Sequence, residues 1–171
     1  MRSALSSANA KTFIIGPHRG EIHSEGAGRD AKGSTIKADH HFEGQRSTLF
    51  DALFIPSGHH INQLAKNGRA IQYVREAFGH CKAIGAAGIG IAFLRDVAGL
   101  PGVRFQHEDS SDVMTSYGVV TTGKLDIKSA ATVQLRIEHD EKDFLAEFAH
   151  VISQHRCYER EMDGLTAQVA F

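Results

Sequence analysis

The sequence predicts an α/β protein with a mostly parallel, doubly wound sheet. Short apolar runs alternate with stretches whose apolar residues recur at helical spacing, which is typical of strands that are separated by helices. The three clearest runs are 11–16, 52–55 and 82–86. A glycine ends or follows each run, at Gly16, Gly58 and Gly88. We therefore expect the three strand ends to lie along one edge of the sheet, where folds of this class bind ligands.

The N-terminal region combines a helix with an excursion from the sheet. Residues 2–10 are interpreted as the tail of a helix that leads directly into the first strand. Polar, glycine-rich composition then predicts weak strands at 21–24 and 34–39 around a mobile tip at 26–33. Because a helix that feeds a buried strand is an unusual domain start, we expect the preceding strand of the fold to be missing from this chain.

The remainder of the chain continues the alternation. We predict helices over 59–65, 70–78, 91–97 and 141–155 and a strand over 113–122. The stretch 127–135 mixes β-branched residues with alanines and is compatible with a strand or a helix. The apolar face of the last helix consists of Phe144, Leu145, Phe148, Ala149 and Ile152.

Composition excludes several classes of function. The 171 residues are 42% hydrophobic and 23% charged, which predicts one domain over 1–171 with its own core. The net charge of -1 gives no support to nucleic-acid binding. No apolar run approaches the roughly 20 residues that span a bilayer, and the start lacks the apolar core of a signal peptide. The sequence leaves the compartment open.

Cysteine and histidine usage gives no metal or disulfide framework. Cys81 and Cys157 form no CxxC motif, and two buried free thiols are favoured over one bridge between them. Two adjacent histidine pairs, 40–41 and 59–60, occur among the 11 histidines. Neighbouring side chains diverge on a strand and on a helix, so neither pair chelates a metal easily. We expect no metal site.

The stretch 81–94 predicts a buried strand, a sharp turn and a helix start, the arrangement that places a nucleophile or a phosphate site in α/β folds. The glycines between 85 and 90 lack the GxGxxG order, and no Lys-Ser/Thr pair follows them, so we interpret them as permitting the turn. A general base at His59 beside a nucleophilic Ser57 is conceivable, but neighbouring turns offer neither residue a partner. An exposed or capping role is favoured for His59.

Several motifs in order resemble a known family. The segments 50–59, 67–70 and 80–86 look like the ThiJ/PfpI branch of the class I glutamine-amidotransferase superfamily. More closely, the chain resembles the C-terminal domain of large-subunit catalases, in particular those of filamentous fungi. The segments 118–122 and 148–161 are similar to the end of that domain, where an HRxxxRE pattern closes the last helix. The resemblance implies a flavodoxin-like three-layer sandwich, here without its first strand.

The resemblance also implies that catalytic residues are absent. Active members of the superfamily carry cysteine at the strand-to-helix turn, commonly followed by histidine. In this sequence Gly88 stands at the cysteine position and Ile89 follows it. The family strand that normally contributes an acidic residue is missing. We therefore expect a degenerate pocket, formed by Ala87, Gly88, Ile89, Gly58 and His59.

The implied function is that of a non-catalytic accessory domain. Its parent would decompose hydrogen peroxide at a haem in a separate core, and this chain itself would hold no cofactor. The expected partners are that core, its homotetramer and unfolded client proteins. Two alternatives remain open. One is a residual glyoxalase, deglycase or amidase that uses His59, Ser57 or Cys157; the other is a flavin or nucleotide binder at the sheet edge.

Overall fold

The computed structural model describes residues 2–7, 9–23, 35–126 and 143–169. The predicted tip at 26–33 and the ambiguous stretch at 127–135 lie outside these residues. The chain divides into two compact units, Arg2–Arg46 and Ser47–Phe171. The assignment of one domain to residues 1–171 therefore stays a prediction.

The N-terminal unit contains one helix and two small sheets. Its elements are α1 (Arg2–Ser7), β1 (Ile15–Gly16), β2 (Gly20–His23), β3 (Thr35–Ala38) and β4 (His40–His41). Strands β2 and β3 pair antiparallel and lie close to where the sequence predicts them.

The prediction of a long first strand was wrong. Only Ile15–Gly16 is extended in a ladder, and β1 pairs in parallel with β4 instead of joining the main sheet. The backbone just before β1 is bound by Asp39 instead of by a strand of the main sheet. The Ile14 N–H donates to the Asp39 carboxylate over 2.8 Å, and the Ile14 carbonyl accepts from the Asp39 N–H. Gly16 therefore does not belong to the sheet of Gly58 and Gly88.

The C-terminal unit is built on a four-stranded sheet. Its strands are β5 (Ala52–Ile55), β6 (Ala83–Ala87), β7 (Val113–Ser116) and β8 (Val119–Thr122). The order is β5-β6-β8-β7, with β5, β6 and β8 parallel and β7 antiparallel at one edge. A mixed, mostly parallel sheet is therefore confirmed.

The region 113–122 is a hairpin and not the single strand that its apolar composition predicted. Tyr117 and Gly118 connect β7 to β8 with φ values of 49° and 68°, both in the left-handed region. Two consecutive residues of this conformation match the right-handed twist of a two-residue hairpin. The glycine after Tyr117 was the available sequence signal.

Helices cover both faces of the sheet. They are α2 (Ile61–Leu64), α3 (Gly68–Gly79), α4 (Gly90–Ala92), α5 (Phe144–Ser153) and α6 (Glu159–Met162). Helix α4 continues as a π-helix over Phe93–Ala98, and short 3₁₀ turns occupy Ser47–Leu49 and Thr166–Gln168. No described helix has the length and apolar character needed to cross a membrane.

The face under α5 is aromatic. The Phe144 ring lies 5.8 Å from the rings of both Phe54 and Phe148. A Cβ on Gly85 would lie only 3.0 Å from the Phe148 ring, so the small residue lets α5 approach the strand closely. On α5 itself Val151 is buried whereas Ala149 is exposed, which corrects the predicted apolar face.

The opposite face carries α3 and the stretch 103–107, which is neither helix nor strand. Two side chains of the sheet satisfy backbone groups of that stretch, because the Ser116 hydroxyl accepts from the Arg104 N–H and the Thr121 hydroxyl accepts from the Gln106 N–H. The stretch carries the following loop to the carboxyl ends of β6 and β8. Helices on both faces of one sheet make a three-layer α/β sandwich.

Candidate functional site

The turn between β6 and α4 has the predicted strand-to-helix form. Ala87 ends the strand, Gly88 adopts φ +50°, and the helix begins at Gly90. The Gly88 N–H donates to the Thr122 carbonyl over 3.0 Å, which ties the turn to the end of β8. An L-residue at this φ is strained by about 1–2 kcal/mol, whereas glycine adopts it freely.

Other strand ends approach this turn too closely to leave room for a side chain at position 88. A Cβ built on Gly88 would overlap the Ser57 hydroxyl and lie 2.9 Å from the Ser57 Cβ. A Cβ on Gly90 would lie 2.9 Å from the Ile55 carbonyl oxygen. The turn is therefore packed for glycine, and a cysteine at this position would require the Ser57 segment to move.

An open cleft of about 470 Å³ lies over this turn. Its lining consists of Ser57, Gly88, Ile89, Arg95, His107, Glu108, Asp109, Gly123 and Lys124. The lining thus includes two of the five residues of the expected degenerate pocket. Ala87, Gly58 and His59 are not among the lining residues, and their role in a pocket stays a prediction.

Charged residues of the π-helix and of loop 107–109 line the cleft. Arg95 donates to Asp96 over 2.7 Å and to Glu108 over 3.0 Å. The hydrogen bond from Arg95 lowers the pKa of the Asp96 carboxyl, and both carboxylates raise the pKa of Arg95. The pairs are largely exposed, so their net stabilisation is small. Loop 107–109 follows the stretch 103–107 to the cleft, and local periodicity in the sequence does not predict this position.

The two histidines that follow β5 are both exposed, the role favoured for His59. The His60 ring lies against Gly58, where an added Cβ would come within 2.7 Å of the ring Nδ1. Desolvation lowers the pKa of His60, and a hydrogen bond with the Pro56 backbone opposes that shift. Within the described ranges, no three His, Cys, Asp or Glu side chains are grouped so that they could hold a metal ion.

A second polar centre, not predicted from the sequence, lies at the amino-terminal end of β6. Arg160 of α6 is fully buried and donates from Nε to the Tyr117 carbonyl over 2.6 Å. Its Nη1 donates to the carbonyls of Phe78 and Lys82 over 3.2 and 2.8 Å. The guanidinium also lies over the Phe78 ring at 4.3 Å. Arg160 therefore joins α3, β6, the hairpin and α6 at one point.

The two cysteines flank this arginine. Both are buried and free, and the Cys157 N–H donates to the Cys81 carbonyl over 2.8 Å. Desolvation raises the pKa of both thiols, although the nearby Arg160 charge opposes the shift. A buried thiol with a raised pKa is a poor nucleophile. The cysteines thus belong to the core at the end of the sheet away from the cleft.

Taken together, the cleft offers charge and backbone groups but no activated nucleophile at the turn. In active α/β enzymes of this architecture the turn residue supplies the nucleophile and adjacent groups activate it. Here the turn residue is glycine, and the hydroxyl among the described lining residues belongs to Ser57 on the neighbouring loop.

Comparison with known proteins agrees with the sequence resemblance. The profile of the C-terminal domain found in long catalases matches residues 1–161. Catalase-1 of Neurospora crassa is 42% identical over 170 residues, which cover 99% of this chain and 22% of that protein. Catalase A of Emericella nidulans is 39% identical over 172 residues, which cover 100% of this chain and 23% of that protein. The chain thus spans less than a quarter of the length of these relatives.

Solved structures show the fold. The ThiJ/PfpI domain protein from Brachyspira murdochii has a TM-score of 0.58 at 18% identity, covering 71% of this chain and 75% of that chain. Oxidised DJ-1 from Toxoplasma gondii has a TM-score of 0.58 at 15% identity, covering 89% of this chain and 86% of that chain. The flavodoxin-like three-layer sandwich is therefore confirmed.

Proposed function

Because this chain belongs to the family of C-terminal domains found in long catalases, we propose that it is a non-catalytic accessory domain of a longer haem catalase. Peroxide decomposition takes place in the parent's separate core, and this domain stabilises that core or shapes access to its haem. The partners in this proposal are the parent's core and its homotetramer. The haem belongs to the core and not to this chain.

The observation that carries the proposal is the glycine at the strand-to-helix turn. Gly88 adopts a left-handed conformation, and Ser57 occupies the space that a side chain at position 88 would need. The buried thiols support the same conclusion, because the raised pKa values of Cys81 and Cys157 disfavour their thiolates.

The test compares the full-length parent with a truncated parent that lacks this chain. We expect equal peroxide turnover per haem at low temperature and faster thermal inactivation of the truncated form. Arg160→Met in the full-length parent serves as a milder perturbation if the truncated form fails to fold. Peroxide decomposition by the 171-residue chain alone would contradict the proposal, as would methylglyoxal turnover that His59→Ala abolishes. Binding of flavin mononucleotide with a thermal shift would favour the alternative of a flavin site.

A second proposed role, as a holdase for unfolded proteins, is supported by exposed apolar side chains. Tyr158 and Met162 are four residues apart and are 57% and 77% exposed. Both lie at helix α6, and Met162 lines an open groove with Tyr117 and Asp163. Exposed apolar surface of this kind is what a client-binding protein requires.

The holdase role predicts that the chain suppresses thermal aggregation of a model client such as citrate synthase. The double variant Tyr158→Ser/Met162→Ser should lose this effect while it keeps the native circular dichroism spectrum. Leu49→Ser, which changes an exposed apolar residue elsewhere, is the matched control. Absence of suppression by a molar excess of the wild-type chain would refute the role.

A further inference from the structure

The two cysteines are held as neighbours by the backbone. The Cys157 N–H donates to the Cys81 carbonyl over 2.8 Å, although the two residues are far apart in the sequence. Standard bond lengths along this contact keep the two Cα atoms within about 7 Å, the greatest separation that a disulfide can bridge. Cys81 adopts φ 58°, in the left-handed region that residues other than glycine seldom occupy. Such a conformation persists only where the surrounding structure holds it, so the fold fixes Cys81 beside Cys157.

The two thiols also share one environment. Both are buried and free. Desolvation raises the pKa of each thiol and the Arg160 charge opposes that shift at both, while the nearby Cys81 adds to the rise in the pKa of Cys157. Each thiol therefore lies within electrostatic reach of the same guanidinium, and Cys157 lies within reach of Cys81 as well.

One atom of that guanidinium is close to the Cys157 sulfur. A Cβ built on Gly118 would overlap this sulfur and would lie 3.1 Å from Arg160 Nη2, so both atoms pack against the same point of the hairpin turn. Arg160 is fully buried, and among the described residues Nη2 has no hydrogen-bond partner. A neutral thiol is a weak acceptor, whereas a thiolate is stabilised beside an arginine. Nη2 is thus placed to stabilise the thiolate of Cys157 when that thiolate forms.

Burial limits how fast the thiolate reacts. The raised pKa values keep both thiols mostly protonated at neutral pH, which disfavours repeated turnover. A disulfide that forms once and then persists requires only a slow reaction. The cysteine pair is therefore suited to a lasting modification of the domain and not to catalysis.

We propose that Cys157 and Cys81 are a modification site at which hydrogen peroxide forms an intramolecular disulfide. The Cys157 thiolate attacks one peroxide oxygen, the O–O bond breaks, and the hydroxide that leaves takes up the thiol proton as water. The Cys81 sulfur then attacks the sulfur of the resulting Cys157 sulfenic acid, the S–O bond breaks, and a second water leaves with the Cys81 proton. In total, two thiols are oxidised to one disulfide and one peroxide is reduced to two waters.

The inference goes beyond the proposed accessory role and does not require it, because the chemistry needs only this chain and peroxide. A longer catalase as the parent would bring the chain into contact with this oxidant. The disulfide closes a long loop that contains β6, the hairpin and α5. A link of this kind restricts the unfolded chain, so the oxidised chain should resist urea better than the reduced chain.

Peroxide treatment of the reduced, folded 171-residue chain tests the proposal. The chain has two cysteines, so the number of thiols that can be alkylated after denaturation reports on this pair alone. We expect both thiols to be lost together, and the intact mass of the monomer to fall by two hydrogen atoms. Dithiothreitol should restore both thiols, and the urea midpoint should rise on oxidation and return on reduction.

Single substitutions identify the sulfur that attacks peroxide. In Cys81→Ser, peroxide should give a Cys157 sulfenic acid that dimedone traps, whereas Cys157→Ser should give much less adduct at Cys81. In the Cys81→Ser background, Arg160→Lys keeps a charge but removes Nη2 and should slow formation of the Cys157 adduct. An equal or faster rate in this folded variant would contradict the role of Nη2, as would preferential trapping of Cys81.

Two outcomes for the wild-type chain would overturn the disulfide itself. Thiols that survive peroxide in the folded chain and are oxidised only in urea would show that burial excludes the oxidant. A disulfide-linked dimer, or a monomer that gains oxygen atoms at cysteine and forms no bridge, would show that the two sulfurs do not meet. Either result leaves the accessory role standing, since that role is tested separately with the truncated parent.

Discussion

Replacement of Arg160 gives the sharpest test of how this fold is held together. The guanidinium is fully buried and has three backbone carbonyls as acceptors, but within the described structure its Nη2 atom has no hydrogen-bond partner. Burial lowers the pKa of Arg160 to about 10, so the side chain still carries its charge at neutral pH. The variant Arg160→Met retains apolar volume and removes the charge and every donor.

The expected loss follows from the hydrogen bonds. Each bond to a charged group contributes about 1.5–3 kcal/mol, and the variant leaves the carbonyls of Tyr117, Phe78 and Lys82 without this donor. Release of the buried charge offsets several kcal/mol of that loss. We therefore expect the free energy of unfolding to fall by about 2–5 kcal/mol, a large part of the stability of a typical domain.

Two further variants make the measurement decisive. Arg160→Lys keeps the charge but cannot reproduce the planar guanidinium with its several N–H donors or the contact with the Phe78 ring. The free energy of unfolding of Arg160→Lys should therefore lie between those of Arg160→Met and the wild type. Arg156→Lys is the matched control, because Arg156 is exposed and its guanidinium donates to the His80 carbonyl over 3.2 Å. This control should change stability by less than about 0.5 kcal/mol.

Urea unfolding followed by far-ultraviolet circular dichroism suits this chain, which has no tryptophan. If Arg160→Met does not fold, Arg160→Lys supplies the comparison. Stability of Arg160→Met or Arg160→Lys equal to that of Arg156→Lys would refute the reasoning that Arg160 joins these elements.

Three other predictions follow from the contacts described above. Gly88→Ala should lower the free energy of unfolding by about 1–3 kcal/mol, and Ser57→Gly should restore part of that loss because it removes the side chain that the new Cβ would overlap. If the effects of the two substitutions on stability add to within about 0.5 kcal/mol in a double-mutant cycle, the overlap between positions 57 and 88 is contradicted. Burial raises the pKa of the Cys81 and Cys157 thiols, so the unfolded chain loses thiol protons first as the pH rises. The stability contributed by the neutral thiols is complete below about pH 8.5 and should decline above it, and unfolding measured from pH 7 to 10 should show a smaller decline in Cys157→Ala. Asn67→Ala removes the side-chain acceptor of two amide N–H groups at the start of α3 and should lower the free energy of unfolding by about 1 kcal/mol, whereas Asn67→Asp keeps an acceptor and should not. Equal urea midpoints for the two variants would contradict the role of Asn67 as the N-cap of α3.

Local patterns predicted those elements whose spacing is encoded within a few residues. The amphipathic helix α3, the strand β6 and the glycine turn at Gly88 lie within a residue or two of their predicted positions. The hairpin at Tyr117-Gly118 was missed because two short strands and a tight turn have the same apolar composition as one longer strand. The first strand was predicted too long, because its β-branched run gives no indication that the Asp39 carboxylate binds the preceding backbone.

The sequence by itself determined the α/β class, the family resemblance and the absence of a reactive side chain at position 88, since a glycine is visible without coordinates. Only the tertiary structure showed that Ser57 fills the space above Gly88 and that loop 107–109 lines the cleft. It also placed β5 at an edge, and it identified Arg160 as a buried link to a carbonyl 82 residues earlier in the chain. The physical reason is range: secondary structure follows from neighbours a few residues apart, whereas burial and hydrogen-bond partners depend on which distant segments the fold brings into contact.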